Sequence, residues 1–270
     1  MTDVGSGSAG KARDAALPEL LDDYGGRIFG LGLKMCGTPQ DAEDLVQETF
    51  LQAYRKWDQF EGRSQPSTWL YRIASRLCTR RKRRRAGEPK NLASLDVLPS
   101  PDEPVVQLGD ASLSPEQLVL RRETRDAVDE AIGHLPEAFR LPLFLKELME
   151  LSTEEVAEIL GIKPATVKTR VHRARLYLAK ELRRHLPRVP APPPDHSRQI
   201  CLDLLELKQQ ALDRRSEFPV PQHELCRRCR SLFLTLDLAT DTCRRLADGE
   251  LPPEIRRVIL DKVSAEKVRP

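Results

Sequence analysis

The residues best suited to chemistry sit near the end of the chain. The stretch His223-Glu224-Leu225-Cys226-Arg227-Arg228-Cys229 holds a Cys-x2-Cys pair, with Cys201 upstream and Cys243 downstream. Such a pair is a bidentate clamp whose thiolates suit zinc, and a structural zinc site is closed by four protein ligands. Two ligand sets are on offer: Cys201, His223, Cys226 and Cys229, or the same with Cys243 replacing His223. The spacing predicts Zn2+ and leaves another metal open. Two other chemistries compete with it. Cys226 and Cys229 could close a regulatory disulfide, helped by thiol pKa values lowered among Arg227, Arg228 and Arg230. Or the thiols are small buried hydrophobes, which is the expectation for the isolated Cys36 and Cys78.

A second set of residues points to nucleic acid. Within Pro164–Glu181, Val167, Val171, Ala174 and Leu178 recur at i, i+4, i+7 and i+11, one helix face turned inward. Thr166, Thr169, Arg170 and Arg173 fall on the outward side, where such donors reach base edges and phosphates in a major groove. Lys168, His172 and Arg175 flank them and suit backbone phosphates, contacts that add affinity without reading sequence. Earlier in the chain Arg72, Arg76 and Arg80 recur every four residues and run into the unbroken basic block Arg80–Arg85. A stripe of that kind can follow the phosphates of an opened strand.

Helices must position these side chains. Leu17, Leu20, Leu21, Tyr24, Ile28, Leu31 and Met35 keep the helical period until Gly37 stops it. Thr38-Pro39-Gln40-Asp41 restarts a helix through a capping box, with Ala42, Leu45, Val46, Phe50, Ala53 and Trp57 on its inner face. After the polar loop Glu61–Ser67, a third helix turns Trp69, Leu70, Ile73, Ala74 and Leu77 inward and the arginine stripe outward. Ser114-Pro115-Glu116-Gln117 opens a further helical stretch. Ser152-Thr153-Glu154-Glu155 caps a short helix, Gly161 ends it and Pro164 begins the next, which together make a helix-turn-helix. The expected fold is all-α, with two small helical domains at 17–86 and 114–184. A disordered N-terminus (1–16), a flexible linker (87–113) and a Pro-rich spacer (185–196) accompany them, and a small helical metal-binding domain (197–270) ends the chain.

Composition agrees with this outline. Aromatics are 5% and charged residues 31% of the 270 residues, with no β-type alternation. The net charge of +3 is small, but the basic block at 80–85 stands beside an acidic tether at 88–116, the outline of a nucleic-acid binder. No apolar run approaches the roughly 18 residues of a membrane span, and the N-terminus lacks a signal-peptide core. The expectation is a cytoplasmic protein without membrane contact, where clustered cysteines indicate metal or redox sensing. No serine–base pair, phosphate loop or paired catalytic carboxylates at motif spacing are present, so an enzyme is not expected.

Two stretches carry a family resemblance. Asp41-Ala42-Glu43-Asp44-Leu45-Val46-Gln47-Glu48-Thr49-Phe50 and Thr68-Trp69-Leu70-Tyr71-Arg72-Ile73-Ala74 resemble region 2 of the extracytoplasmic-function sigma factors. Gly161–Arg175 is similar to their region 4, and the likeness covers Leu17–Arg85 and Arg121–Glu181 in that order. The resemblance implies a factor that brings RNA polymerase core, through its β′ and β subunits, to promoter DNA. It implies docking on the β′ clamp coiled coil through Asp41, Asp44, Gln47 and Glu48. It implies capture of minus-10 bases by Arg63, Ser64, Thr68, Trp69, Arg72, Arg76 and Arg80, against an unstacking cost of a few kcal/mol. Minus-35 reading falls to Thr166, Lys168, Thr169, Arg170, His172 and Arg173. The tail resembles the zinc-binding anti-sigma domain with its His-x3-Cys-x2-Cys motif, here with the histidine one residue closer; Gly249–Pro253 shares the likeness. That implies a fused module holding the sigma domains in a self-inhibitory contact, or activating them on binding an ion. The competing class is a DNA-binding regulator that never enters the polymerase, since the helix-turn-helix alone is shared widely.

Overall fold

The computed structural model describes residues 6–60, 65–83, 103–106, 115–193, 195–246 and 250–267. In chain order they form α1 (Ser6–Cys36), α2 (Pro39–Arg55), α3 (Pro66–Arg83), β1 (Val105–Val106), α4 (Pro115–His134), α5 (Glu137–Leu143), α6 (Thr153–Leu160), α7 (Pro164–His185), β2 (Arg188–Val189), α8 (Arg198–Arg214), α9 (Arg227–Arg245) and α10 (Pro253–Lys267). The all-α expectation holds, with one two-residue strand pair as the only sheet among the described residues.

Gly37 and Thr38 make the first corner. Gly37 takes φ +90°, open to glycine without strain, and ends α1. Thr38 Oγ1 accepts from the Asp41 N–H at 3.1 Å and donates to the Asp41 carboxylate at 2.6 Å, which caps α2. Pro39 occupies the first turn, where its missing N–H costs nothing. The periodic faces then close: Leu21, Ile28 and Leu31 of α1, Leu45, Val46 and Phe50 of α2, and Leu70, Ala74 and Leu77 of α3 are buried where these helices meet. A Cβ on Gly32 would lie 2.6 Å from Ala42 Cα, so a glycine there is what lets α1 and α2 approach backbone to backbone.

The described residues divide into two compact units. The first holds α1, α2, α3, residues 154–163 of the α6 segment, and α10. The second holds α4, α5, α7, the strand pair, α8 and α9, with α7 at its centre against α4, α5 and α9. Val167, Val171, Ala174 and Leu178 of α7 are buried, as their spacing predicts. Ala179 joins one apolar cluster with Leu205 of α8, Leu225, and Leu232, Phe233 and Leu236 of α9. Burying a large apolar side chain contributes about 1.5–3 kcal/mol. The tail helices α8 and α9 are thus part of the core of this unit.

Three boundary expectations change. Residues 6–16, expected to be disordered, form the start of α1; Ala9, Ala15 and Ala16 are strong helix formers, and Arg13 lies over the Tyr54 ring at 3.9 Å. Of the expected flexible linker, Val105 and Val106 pair antiparallel with Val189 and Arg188, and the Val106 N–H donates to Ser231 Oγ at 2.7 Å. Two short extended segments can satisfy each other's backbone in this way without any periodic signal. The stretch 197–270, expected as one domain, is divided: α8 and α9 belong to the second unit and α10 to the first.

Candidate nucleic-acid interface

Gly161 closes α6 with φ +66°, and the Ile162 N–H returns to the Ala157 carbonyl at 3.1 Å. Pro164 then starts α7, so the turn predicted from the sequence is present. On the outward side of α7, Lys168 and Thr169 are exposed, while Thr166, Arg170 and Arg173 are half-buried. Thr169 Oγ1 donates to the Ala165 carbonyl at 3.0 Å, leaving the hydroxyl lone pairs for a ligand.

Two residues of this helix face the tail. His172 Nε2 lies 2.8 Å from Asp213 at the end of α8. Arg175, placed by its spacing among phosphate contacts, is 1% exposed, so that expectation is corrected. Its Nε donates to Glu147 at 2.9 Å, its Nη2 donates to the same oxygen, and its Nη1 donates to Asp213 at 2.7 Å and Gln209 at 3.1 Å. Glu147 comes inward on the π-helical turn Phe144–Leu148 and also accepts from Arg244 of α9 at 3.0 Å. Burial alone would push the Asp213 carboxyl up, but the His172 hydrogen bond and the Arg175 charge outweigh it and hold it below the usual range. Burial likewise disfavours the Arg175 charge, and the two carboxylates more than compensate, so its pKa rises. The sequence carried one hint of this network: Lys146 and Glu147 interrupt the otherwise apolar stretch 141–149, and a carboxylate buried there requires a partner. Asp213, Gln209 and Arg244 gave no signal.

In the first unit the arginine stripe lies along α3. Arg76 and Arg80 are exposed, and Arg72 is ion-paired with Glu158 of α6. Trp69 stacks on an aromatic group, its ring centroid 6.2 Å from Trp57 and 5.1 Å from Phe60. Thr68 is 2% exposed, which removes it from the residues able to touch a base. Arg63 and Ser64 lie outside the described residues.

The predicted docking residues of α2 separate in the same way. Asp44 is exposed, and Glu48 accepts from Gln52 Nε2 at 2.8 Å. Gln47 accepts from Lys262 Nζ of α10 at 2.5 Å. Asp41 is 9% exposed and turned into the Thr38 cap, so it serves the helix start and not a docking surface.

The thiols are partly gathered. Cys201 and Cys229 bring their sulfurs to 3.9 Å, and Cys226 caps α9 with its Sγ accepting the Cys229 N–H at 3.4 Å. Burial, then the neighbouring Cys226 and Cys201, pushes the Cys229 thiol up. The lowered thiol pKa expected from the adjacent arginines is therefore corrected for Cys229, because desolvation outweighs exposed guanidinium groups. His223 sits on the turn Gln222–Glu224 with 82% of its side chain exposed. Cys243 is buried fourteen residues beyond Cys229 in the same helix, about 21 Å along its axis. It cannot share an ion with Cys229, and the ligand set that includes it fails. Among the described residues no group of three or more His, Cys, Asp or Glu is arranged to hold a metal ion. Cys78 is buried and Cys36 half-buried.

Known proteins match both units. Residues 20–88 match the family Sigma-70 region 2, and residues 125–178 match Sigma-70, region 4. The chain is 36% identical over 174 residues to the ECF RNA polymerase sigma factor SigW of Bacillus subtilis (strain 168), covering 64% of this chain and 92% of that protein. It is 35% identical over 167 residues to the RNA polymerase sigma-H factor of Pseudomonas aeruginosa, covering 60% of this chain and 84% of that protein. A solved structure of CnrH in complex with the cytosolic domain of CnrY aligns at 22% identity and a TM-score of 0.47, over 66% of this chain and 94% of that one. The family matches end at residue 178, before the cysteine-bearing tail.

Proposed function

This chain belongs to the ECF RNA polymerase sigma factors, and we propose that it grips promoters through two separate surfaces under the control of its own tail. As a member of that family it directs RNA polymerase to specific promoters and is a transcription initiation factor, not an enzyme. Its partners are the polymerase core and promoter DNA, and it acts in the cytoplasm. Among the described residues no helix is long and apolar enough to cross a membrane.

The observation that carries the residue assignment is the outward face of α7. Lys168 and Thr169 stand exposed beside Arg170 just beyond the Gly161 turn, where a helix entering a major groove presents its N-terminal residues. Thr166, Thr169, Arg170 and Arg173 read the minus-35 element, while Lys168 contacts phosphates and His172 joins it when released from Asp213. Trp69, Arg72, Arg76 and Arg80, with Arg63 and Ser64, engage the minus-10 element. Asp44, Gln47 and Glu48 dock on the β′ clamp.

The tail regulates these surfaces through its cysteines. Cys226 and Cys229 pack in one apolar cluster with Ala179 of α7, and Asp213 at the other end of α8 holds His172, so a change at the thiols bears on the packing of the recognition helix. Zinc is one input: Cys201, Cys226 and Cys229 are three soft donors on neighbouring helices. No three donors among the described residues are arranged to hold an ion and His223 is exposed, so binding would require the thiols to regroup. Oxidation is the alternative input: Cys201 and Cys229 lose two protons and two electrons to a peroxide, which leaves as two waters, and one disulfide forms. The Cys201 and Cys229 sulfurs, 3.9 Å apart, are close enough for that bond to form with a small shift.

Run-off transcription with core polymerase tests the reading. Arg170→Ala should reduce discrimination at one minus-35 position by about 1–3 kcal/mol, whereas Lys168→Ala should weaken all sequences alike and lower the salt slope. A chain that binds promoter DNA yet never binds core polymerase would restore the simple-regulator reading. Zinc per chain, counted beside free thiols before and after peroxide, separates the two inputs; transcription indifferent to both removes the cysteine switch.

A further inference from the structure

Between α8 and α9, inside the second unit, lies a cleft of about 510 Å3, a volume usual for a small-molecule pocket. One face of each helix walls it: Lys208 and Leu212, at i and i+4 of α8, and Arg230, Phe233 and Asp237, at i, i+3 and i+7 of α9. The connection between the helices adds Glu217, Phe218 and Val220. The Phe218 and Phe233 rings meet edge to face with centroids 5.1 Å apart, so the interior of the cleft is aromatic and apolar. None of these side chains lies on the DNA-facing side of α7 or among the docking residues of α2, and none is a thiol.

The charges around that apolar interior are of two kinds. Lys208, 7% exposed, pairs with Asp237 at 2.6 and 2.7 Å and stands 5.4 Å from the centre of the Phe218 ring. This pair is balanced, although an ammonium has three donors and the two Asp237 oxygens leave one of them unspent. Glu217 and Arg230 are exposed, and neither has an ion pair among the described residues. One unpaired carboxylate and one unpaired guanidinium on a single cleft complement a ligand that carries both charges. We propose that the cleft binds a zwitterionic α-amino acid with an apolar side chain. Its carboxylate lies on Arg230, which takes it through two parallel N–H donors, assisted by the spare Lys208 donor. Its ammonium lies on Glu217, and its side chain fills the space beside Phe218 and Phe233. An apolar acid gains nothing from Glu217 and an apolar amine nothing from Arg230, so the zwitterion is the tighter ligand.

The test is an NMR titration of the full chain with L-phenylalanine, 3-phenylpropionate and phenethylamine, which carry both charges, the negative one and the positive one. L-Phenylalanine should bind once per chain with a Kd on the order of 0.1–1 mM, and each single-charge analogue about tenfold or more weakly. Arg230→Gln should weaken L-phenylalanine by about tenfold and leave phenethylamine unchanged. Glu217→Gln should weaken L-phenylalanine by a similar factor and leave 3-phenylpropionate unchanged. Both side chains are exposed, so both variants should keep the melting temperature of the parent chain, which separates loss of a charge from loss of the fold. Bound L-phenylalanine should also slow hydrogen exchange at residues 216–225 and 230–237. Absence of saturable L-phenylalanine binding, equal affinity for the three probes, or affinity indifferent to both substitutions overturns the site.

Discussion

Glu147 and Arg175 each have side chains 1% exposed, so neither charge can be met by water. A buried ion pair returns little net stability, but removing one partner strands the other, at about 3–5 kcal/mol. Arg175→Ala should therefore lower unfolding stability by about that much in a urea titration, and Arg175→Met with Glu147→Gln should recover most of it. Tyr71 makes a prediction in pH. Burial pushes its phenol from the usual 10.0 up to about 12, with Arg27 opposing the shift. A raised folded pKa means stability that is complete below pH 10 and lost as pH rises through 12, by about 2–3 kcal/mol. Tyr71→Phe should flatten that alkaline loss relative to the parent chain, and identical slopes would refute it.

At the scale of elements, α1 and α2 meet where glycine is required by space. Gly to Ala inside a helix ordinarily gains about 1 kcal/mol. At Gly32 the new Cβ would press on the Ala42 backbone, which cannot rotate aside, so overpacking should win and cost about 1–3 kcal/mol. A raised melting temperature for Gly32→Ala would show that the helices can part. The helix-turn-helix was legible in the sequence to within a few residues, because its cap, glycine and proline are local backbone signals. The faces of α7 were legible less completely. Periodicity separates an inner from an outer side, but it cannot say that the tail supplies Asp213 and converts the flank of the outer side into a second interior.

For the whole molecule, two compact units predict two cooperative blocks in native-state hydrogen exchange. Gly32→Ala should weaken protection in α1–α3 and α10, and Arg175→Ala in α4, α5 and α7–α9. Uniform loss in both variants would show that the chain opens as one. The division also gives the tail two attachments, with α8 and α9 completing the core around α7 and α10 lying on α2.

The sequence by itself determined the helical class, the capped corners at Thr38 and Gly161, the apolar faces, the cationic outer side of α7 and the family. Each of these rests on spacing along one helix or one turn, where neighbours in space are neighbours in sequence. Only the tertiary structure decided that Asp41 and Thr68 face inward, that Arg175 is a buried bridge, that Cys201 meets Cys229 while Cys243 is a helix length away, and that α10 leaves its neighbours to lie on α2. Asp41 is the local exception, turned inward by Thr38 three residues before it. Arg175, Cys201 and α10 find partners from 28 to more than 200 residues distant in the chain, and no local period records which partner a buried charge or thiol will find.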